Sequence, residues 1–116
     1  MDIKEVVRKD FKFLVWKVFL KGLKFSGEDL DFTENIYTEL MENPQRGALL
    51  SGGIRKARIG SKRKNSGKSG GYRYLYYLQT QRTIHLMALL NKSDAENFDK
   101  EELKNLASIL KSLDFR

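Results

Sequence analysis

The chain has no cysteine and a single histidine, His85, among its 116 residues. Disulfide bridges and thiolate metal sites are therefore excluded. A zinc centre or a Ser-His-Asp triad would lack most of the ligands and bases it needs. Proline occurs once, at Pro44, and tryptophan once, at Trp16. No run approaches the roughly 18 unbroken apolar residues of a membrane-spanning helix. The longest early one, Phe13 to Leu20, is interrupted by Lys17. The opening Met1-Asp2-Ile3-Lys4-Glu5 does not have the charge layout of a secretory signal. The expectation is a cytoplasmic protein with no membrane partner, built as one domain over residues 1–116.

Negative charge is also missing, and over a long stretch. Between Glu42 and Asp94 there is no acidic residue, while Arg46, Arg55, Lys56, Arg58, Lys62, Arg63, Lys64, Lys68, Arg73, Arg82 and Lys92 supply eleven positive charges. The flanks hold the other eleven Lys and Arg against all fifteen acids, so the net charge of +7 is concentrated in the middle of the chain. A block of like charges repels itself, and folding it is favoured when a polyanion is the partner. Nucleic acid is the leading class.

What is present gives an α+β pattern. Ile3 to Val7 is a short β-branched segment suited to open a sheet. Phe11, Leu14, Val15, Val18, Phe19 and Leu23 recur at three and four, which predicts a helix from Asp10 to about Leu23. The β-rich composition of Phe13 to Phe19 leaves a strand open there. Ser26 is a candidate N-cap for a second helix, with Glu28 and Asp29 in its first turn and Leu30, Thr33, Tyr37, Leu40 and Met41 along one face. Asn43-Pro44 ends it. From Gly52 the period becomes two: Ile54, Lys56 and Arg58 alternate with Arg55, Ala57 and Ile59. Beyond a Gly/Ser/Lys loop from Gly60 to Gly71, Tyr72 to Gln79 and Thr83 to Leu90 read as two further strands, the last apolar enough to be central. Asp99 caps a final helix, with Glu102 at the capping-box position and Leu103, Leu106, Ala107, Leu110 and Leu113 on one stripe. The order is N-terminal helices, a small antiparallel β-sheet and a C-terminal helix.

The chemistry gathers around the strand from Gly52, the loop from Gly60 to Gly71 and the strand from Tyr72. Gly67-Lys68-Ser69 echoes a phosphate-binding loop, but the glycine required five residues earlier is Lys62, and the segment leads into a strand rather than a helix. That reading is set aside. Lys56 and Arg58 share a face of their strand, and Arg73 opens the next, so pairing of the two would converge all three on one patch. Such a patch holds phosphates without reading sequence. Tyr72, Tyr74 and Tyr76 share a face opposite Arg73 and Tyr77, and serve either as core packing or as stacking surfaces for bases. His85 is either a satisfied core histidine or a general base.

Asn43-Pro44-Gln45-Arg46-Gly47, Gly52-Gly53-Ile54-Arg55-Lys56-Ala57-Arg58 and Gly67-Lys68-Ser69-Gly70-Gly71-Tyr72-Arg73-Tyr74-Leu75-Tyr76-Tyr77 resemble the signature of HigB-type toxins, a branch of the RelE/ParE toxin–antitoxin superfamily. The resemblance runs from about Leu40 to Leu110 and includes Leu90-Asn91-Lys92-Ser93. It implies a RelE-like fold and metal-independent cleavage of mRNA in the ribosomal A site, by attack of a ribose 2′-OH on the adjacent phosphate, with no cofactor. Carried over by position, Lys56, Arg58 and Arg73 are the catalytic candidates. Lys56 would take the 2′-OH proton, and the arginines would stabilise the phosphorane. Arg55, Lys62, Arg63, Lys64, Lys68, Tyr76 and Lys92 are the further RNA-contact candidates. The implied partners are mRNA on the ribosome and a cognate helix-turn-helix antitoxin of the HigA kind. Two departures stand out: the neighbourhood of RelE's C-terminal tyrosine holds Phe98 and Asp99, and Ser93 stands near the place of a further arginine. The general acid is therefore not identified. A gyrase-poisoning toxin of the ParE kind and a non-catalytic RNA- or ribosome-binding module are the alternatives.

Overall fold

The computed structural model describes residues 3–65, 67, 71–92 and 100–113. The chain opens with a hairpin of β1 (Ile3–Arg8) and β2 (Phe11–Trp16), paired from Ile3 opposite Trp16 to Arg8 opposite Phe11. Lys9 makes the turn with φ 54°. The helix expected from Asp10 is thus corrected over its first half, because α1 starts only at Lys17 and runs to Ser26. Phe11, Phe13 and Val15 are buried on one side of β2 and Lys12 is exposed on the other, a period of two that outweighs the weaker spacing at three and four. Aromatic and β-branched side chains fit a pleated surface better than a helix. Parallel pairing of β2 with the last strand, Phe13 opposite Ile84 and Val15 opposite Leu86, then covers the strand on both edges.

Helix α2 (Leu30–Glu42) buries Phe32, Thr33, Ile36, Tyr37 and Leu40. Its N-cap is Asp29, whose carboxylate accepts from the Phe32 N–H at 3.0 Å. Ser26, the expected cap, instead ends α1, its hydroxyl donating to the Leu23 carbonyl. Leu30, expected on the buried stripe, is 83% exposed. A short β3 (Ala48–Leu49) and a 3₁₀ turn (Ser51–Gly53) lead to β4 (Ile54–Ile59), β5 (Tyr72–Leu78), β6 (Thr83–Asn91) and α3 (Lys100–Ser112). Asp99, the expected cap of α3, lies outside the described residues.

The six described strands form one sheet in the order β1-β2-β6-β5-β4-β3, antiparallel except between β2 and β6. The apolar strand β6 lies inside it, as its composition predicts. Alternation sends side chains to two separate cores. Phe11, Phe13, Val15, Ala57, Ile59, Tyr72, Tyr74, Tyr76 and Leu86 pack with α1 and α2. Trp16, Ile54, Leu75, Met87 and Ala88 pack with Leu106 and Leu110 of α3. The stripe expected on α3 is the one that faces the sheet. Arg8 ties β1 to α2 through a two-pronged pair with Glu34, Nε to Oε1 at 2.8 Å and Nη2 to Oε2 at 2.6 Å. Among the described residues no helix is long and apolar enough to cross a membrane.

Candidate nucleic-acid interface

Strand register builds the cationic patch. Arg58 stands directly opposite Arg73, and Lys56 opposite Leu75. Positions 54, 56 and 58 of β4 and 73, 75 and 77 of β5 therefore share the face on which α3 packs. The helix covers that face around Ile54, Leu75 and Ala88. The cations continue the face toward its other end, where Lys56 is half-buried, Arg58 exposed and Arg73 nearly buried. Arg73 Nη1 donates to the Tyr72 carbonyl at 3.1 Å. Two guanidinium groups on directly paired strand positions present forks that match phosphate oxygens. Lys92 lies exposed just beyond Asn91, which pairs with Tyr72, so it stands at the same end of the sheet.

Other sequence candidates are placed elsewhere. Tyr76 is fully buried on the opposite, helix-covered face. Its hydroxyl accepts from the Gly47 N–H at 2.9 Å and donates to the Pro44 carbonyl at 2.8 Å. Burial raises the pKa of that hydroxyl above its ordinary value. Arg55 lies on the same side, its Nη1 donating to the carbonyls of Gly47 at 2.9 Å and Gln45 at 3.2 Å. The two side chains thereby hold the Pro44–Gly47 turn, where a Cβ on Gly47 would come within 2.9 Å of both the Lys56 carbonyl and the Tyr76 ring. The Asn-Pro-Gln-Arg-Gly segment is a packing element here.

Arg63 and Lys64, near the root of the basic loop, also turn to the helix side. Arg63 donates to the Ser26 carbonyl and stands 3.6 Å from the Glu28 carboxylate, while Lys64 Nζ lies 3.9 Å from the centre of the Tyr72 ring. Lys62 is exposed on the rim of a cavity of about 890 Å³ that Glu28, Asp29, Asp31 and Glu39 also line. Those acids suit the cavity poorly to a phosphate chain. Lys68 falls outside the described residues. The structure thus sets Lys56, Arg58 and Arg73 on one face, with Lys92 at the same end of the sheet, and places Arg55, Arg63, Lys64 and Tyr76 on the helix side.

His85 resolves as a core residue. It is fully buried; its Nδ1 accepts from Trp16 Nε1–H at 2.9 Å, which leaves the proton on Nε2 to face Gln79 Oε1 at 2.9 Å. Burial holds its pKa down at about 4, so the ring is neutral at pH 7. Among the described residues no cluster of three or more histidines and carboxylates could hold a metal ion.

The fold and the patch define a small α+β protein with a cationic sheet face. Residues 17–115 match the sequence profile of the RelE toxin of the RelE / RelB toxin-antitoxin system. The chain belongs to that family. It is thereby the toxin of a toxin–antitoxin pair and has an antitoxin as its partner. The hairpin strands β1 and β2, residues 3 to 16, precede the matched span.

Proposed function

We propose that this toxin is a ribosome-dependent mRNA endonuclease of the HigB branch, and that the chain acts as one catalytic domain in the cytoplasm. The observation that carries the reading is the cross-strand register: Arg58 opposite Arg73, with Lys56 on the same face two residues away. The two arginines in that arrangement can grip a bent RNA backbone at the scissile phosphate, with the amine of Lys56 beside them as the proton acceptor. The ribose 2′-OH attacks the adjacent phosphorus as Lys56 accepts its proton. Arg58 and Arg73 neutralise the charge that grows on the equatorial oxygens. The 5′-oxygen then leaves and takes a proton from water, giving a 5′-OH product and a 2′,3′-cyclic phosphate, which a second water opens to a 3′-phosphate. Lys92 extends the contact along the backbone. Phosphate contacts supply affinity without sequence readout, so the ribosome must present the codon and align the nucleophile. The partner antitoxin, in this reading a helix-turn-helix protein of the HigA kind, silences the enzyme.

Regulated expression in bacteria tests this, with growth followed and mRNA 5′ ends mapped for the wild type, Arg58→Ala and Arg73→Ala. Arg58 is exposed, so its loss leaves the fold intact. Growth arrest with codon-registered cuts, abolished by either substitution, is the expected result. Arrest without cuts would move the target to gyrase, and no arrest would leave a binding protein.

A further inference from the structure

Glu28, which the sequence pattern places in the first turn of α2, lies outside that helix, one residue before the Asp29 cap. Its side chain is only 4% exposed. Oε2 accepts from the hydroxyl of Ser61 at 2.6 Å and faces Arg63 Nε at 3.6 Å. Ser61 is itself buried, and its oxygen accepts in turn from the Lys64 N–H at 3.0 Å. On the helix side, the Ser26 carbonyl receives the Arg63 guanidinium, and the Ser26 hydroxyl accepts the Glu28 N–H at 3.1 Å. The backbone closes the same turn, with Asn65 N–H donating to the Lys62 carbonyl at 3.0 Å. A buried carboxylate needs a hydrogen-bonded or charged partner, and here both partners come from the first residues of the basic loop.

From this chain of contacts we infer that Glu28 is a positioning residue. Its carboxylate docks the root of the basic loop, Ser61 to Asn65, on the α1–α2 junction and so sets where Lys62 meets the RNA backbone. The inference rests on the ribonuclease reading for its RNA, but the docking itself does not. The loop leaves the sheet beside the Arg58–Arg73 pair, since Ile59 pairs with Tyr72 at that end. A docked root holds a second phosphate contact at a fixed distance from the scissile phosphate. An undocked one spreads it over many positions, and the ordering cost is then met on binding.

Two readouts on the full-length protein separate the docking from the function. Limited trypsin digestion of the wild type, Glu28→Ala and Glu28→Gln reports the loop directly. Cleavage at Lys62 to Lys64 should accelerate several-fold in Glu28→Ala with cleavage elsewhere unchanged. Glu28→Gln keeps an acceptor for Ser61 but no charge for Arg63, and should be intermediate. Equal loop cleavage in all three overturns the docking. Binding of a labelled single-stranded RNA should weaken by about tenfold in Glu28→Ala with the salt slope unchanged, since Lys62 still reaches a phosphate once ordered, whereas Lys62→Ala should lower the slope by about one. On programmed ribosomes KM should rise while kcat holds, and Glu28→Ala should add nothing in a Lys62→Ala background. Additive losses in the double variant, or a fall in kcat alone, would make Glu28 a merely structural residue. A wild type that cuts no mRNA would sink the ribonuclease reading, while the trypsin comparison still decides the docking.

Discussion

At the scale of single residues, His85 shows how burial removes a reactive group from service. Its ring is neutral, hydrogen-bonded on both nitrogens and held at a pKa of about 4 in the folded state, against an ordinary value near 6.5. Both states are neutral above pH 6.5, so the group costs nothing there. Between pH 6.5 and 4 the unfolded chain binds the proton and the folded one resists it, so stability falls as pH drops through that window. The loss reaches on the order of 2–3 kcal/mol at the acid end. Thermal melting from pH 7 to pH 4 should show a shallower decline for His85→Gln than for the wild type. Equal slopes would contradict the assignment. Tyr76 makes a second residue-scale case. Tyr76→Phe breaks two buried hydrogen bonds and should cost about 1–3 kcal/mol, measured by denaturant unfolding, with RNA affinity intact. A large loss of affinity in a folded Tyr76→Phe would restore it to the RNA face.

At the scale of elements, alternation made much of the sheet legible in advance. Strands β4 and β5 fall where alternation placed them and β6 where its apolar run did, and Lys56, Arg58 and Arg73 share a face because strand geometry leaves no choice. The hairpin was harder to see. Phe11, Phe13 and Val15 alternate, but Phe11, Leu14, Val15 and Val18 also fit a helix, and only the pairing of β2 with β6, nearly seventy residues later in the chain, decides between them. The cap of α2 was misread for a local reason: Ser26 and Asp29 are both good caps, and the Ser26 hydroxyl is taken by Leu23 and Glu28. The positions of Arg55, Arg63 and Lys64 were not legible either. Their partners are backbone carbonyls, a buried carboxylate and a ring, all distant in sequence or hidden in a turn. The Pro44–Gly47 turn offers a test at this scale. Gly47→Ala forces a methyl against the Lys56 carbonyl and should destabilise by about 1–3 kcal/mol, lowering the melting temperature without changing the salt dependence of RNA binding.

At the scale of the whole molecule, the acidic flanks sort the cations of the middle stretch. Glu39, Glu28 and Asp10 take Arg46, Arg63 and Arg82 into ion pairs along the helix side and the hairpin. Lys56, Arg58 and Arg73 lie on the other face of the sheet. Among the described residues the cations of the middle stretch are thus divided between the two faces of the sheet, and those on the face away from α1 and α2 can draw in a polyanion. Binding of single-stranded RNA should weaken with salt at a log–log slope between about −2 and −4 if three to six cations reach phosphates. A slope near zero would remove the electrostatic basis of the account.

The central claim is that Arg58, Arg73 and Lys56 cut RNA held by the ribosome. Its most direct test is a cleavage assay on purified ribosomes programmed with a short mRNA, comparing the wild type with Arg58→Ala. One cut in the A-site codon is expected with the wild type, leaving a 5′-OH and a cyclic phosphate or 3′-phosphate. In the variant the single-turnover rate should fall by about a hundredfold or more while ribosome binding persists. An uncut message with the wild type, or cleavage that survives Arg58→Ala undiminished, would contradict it.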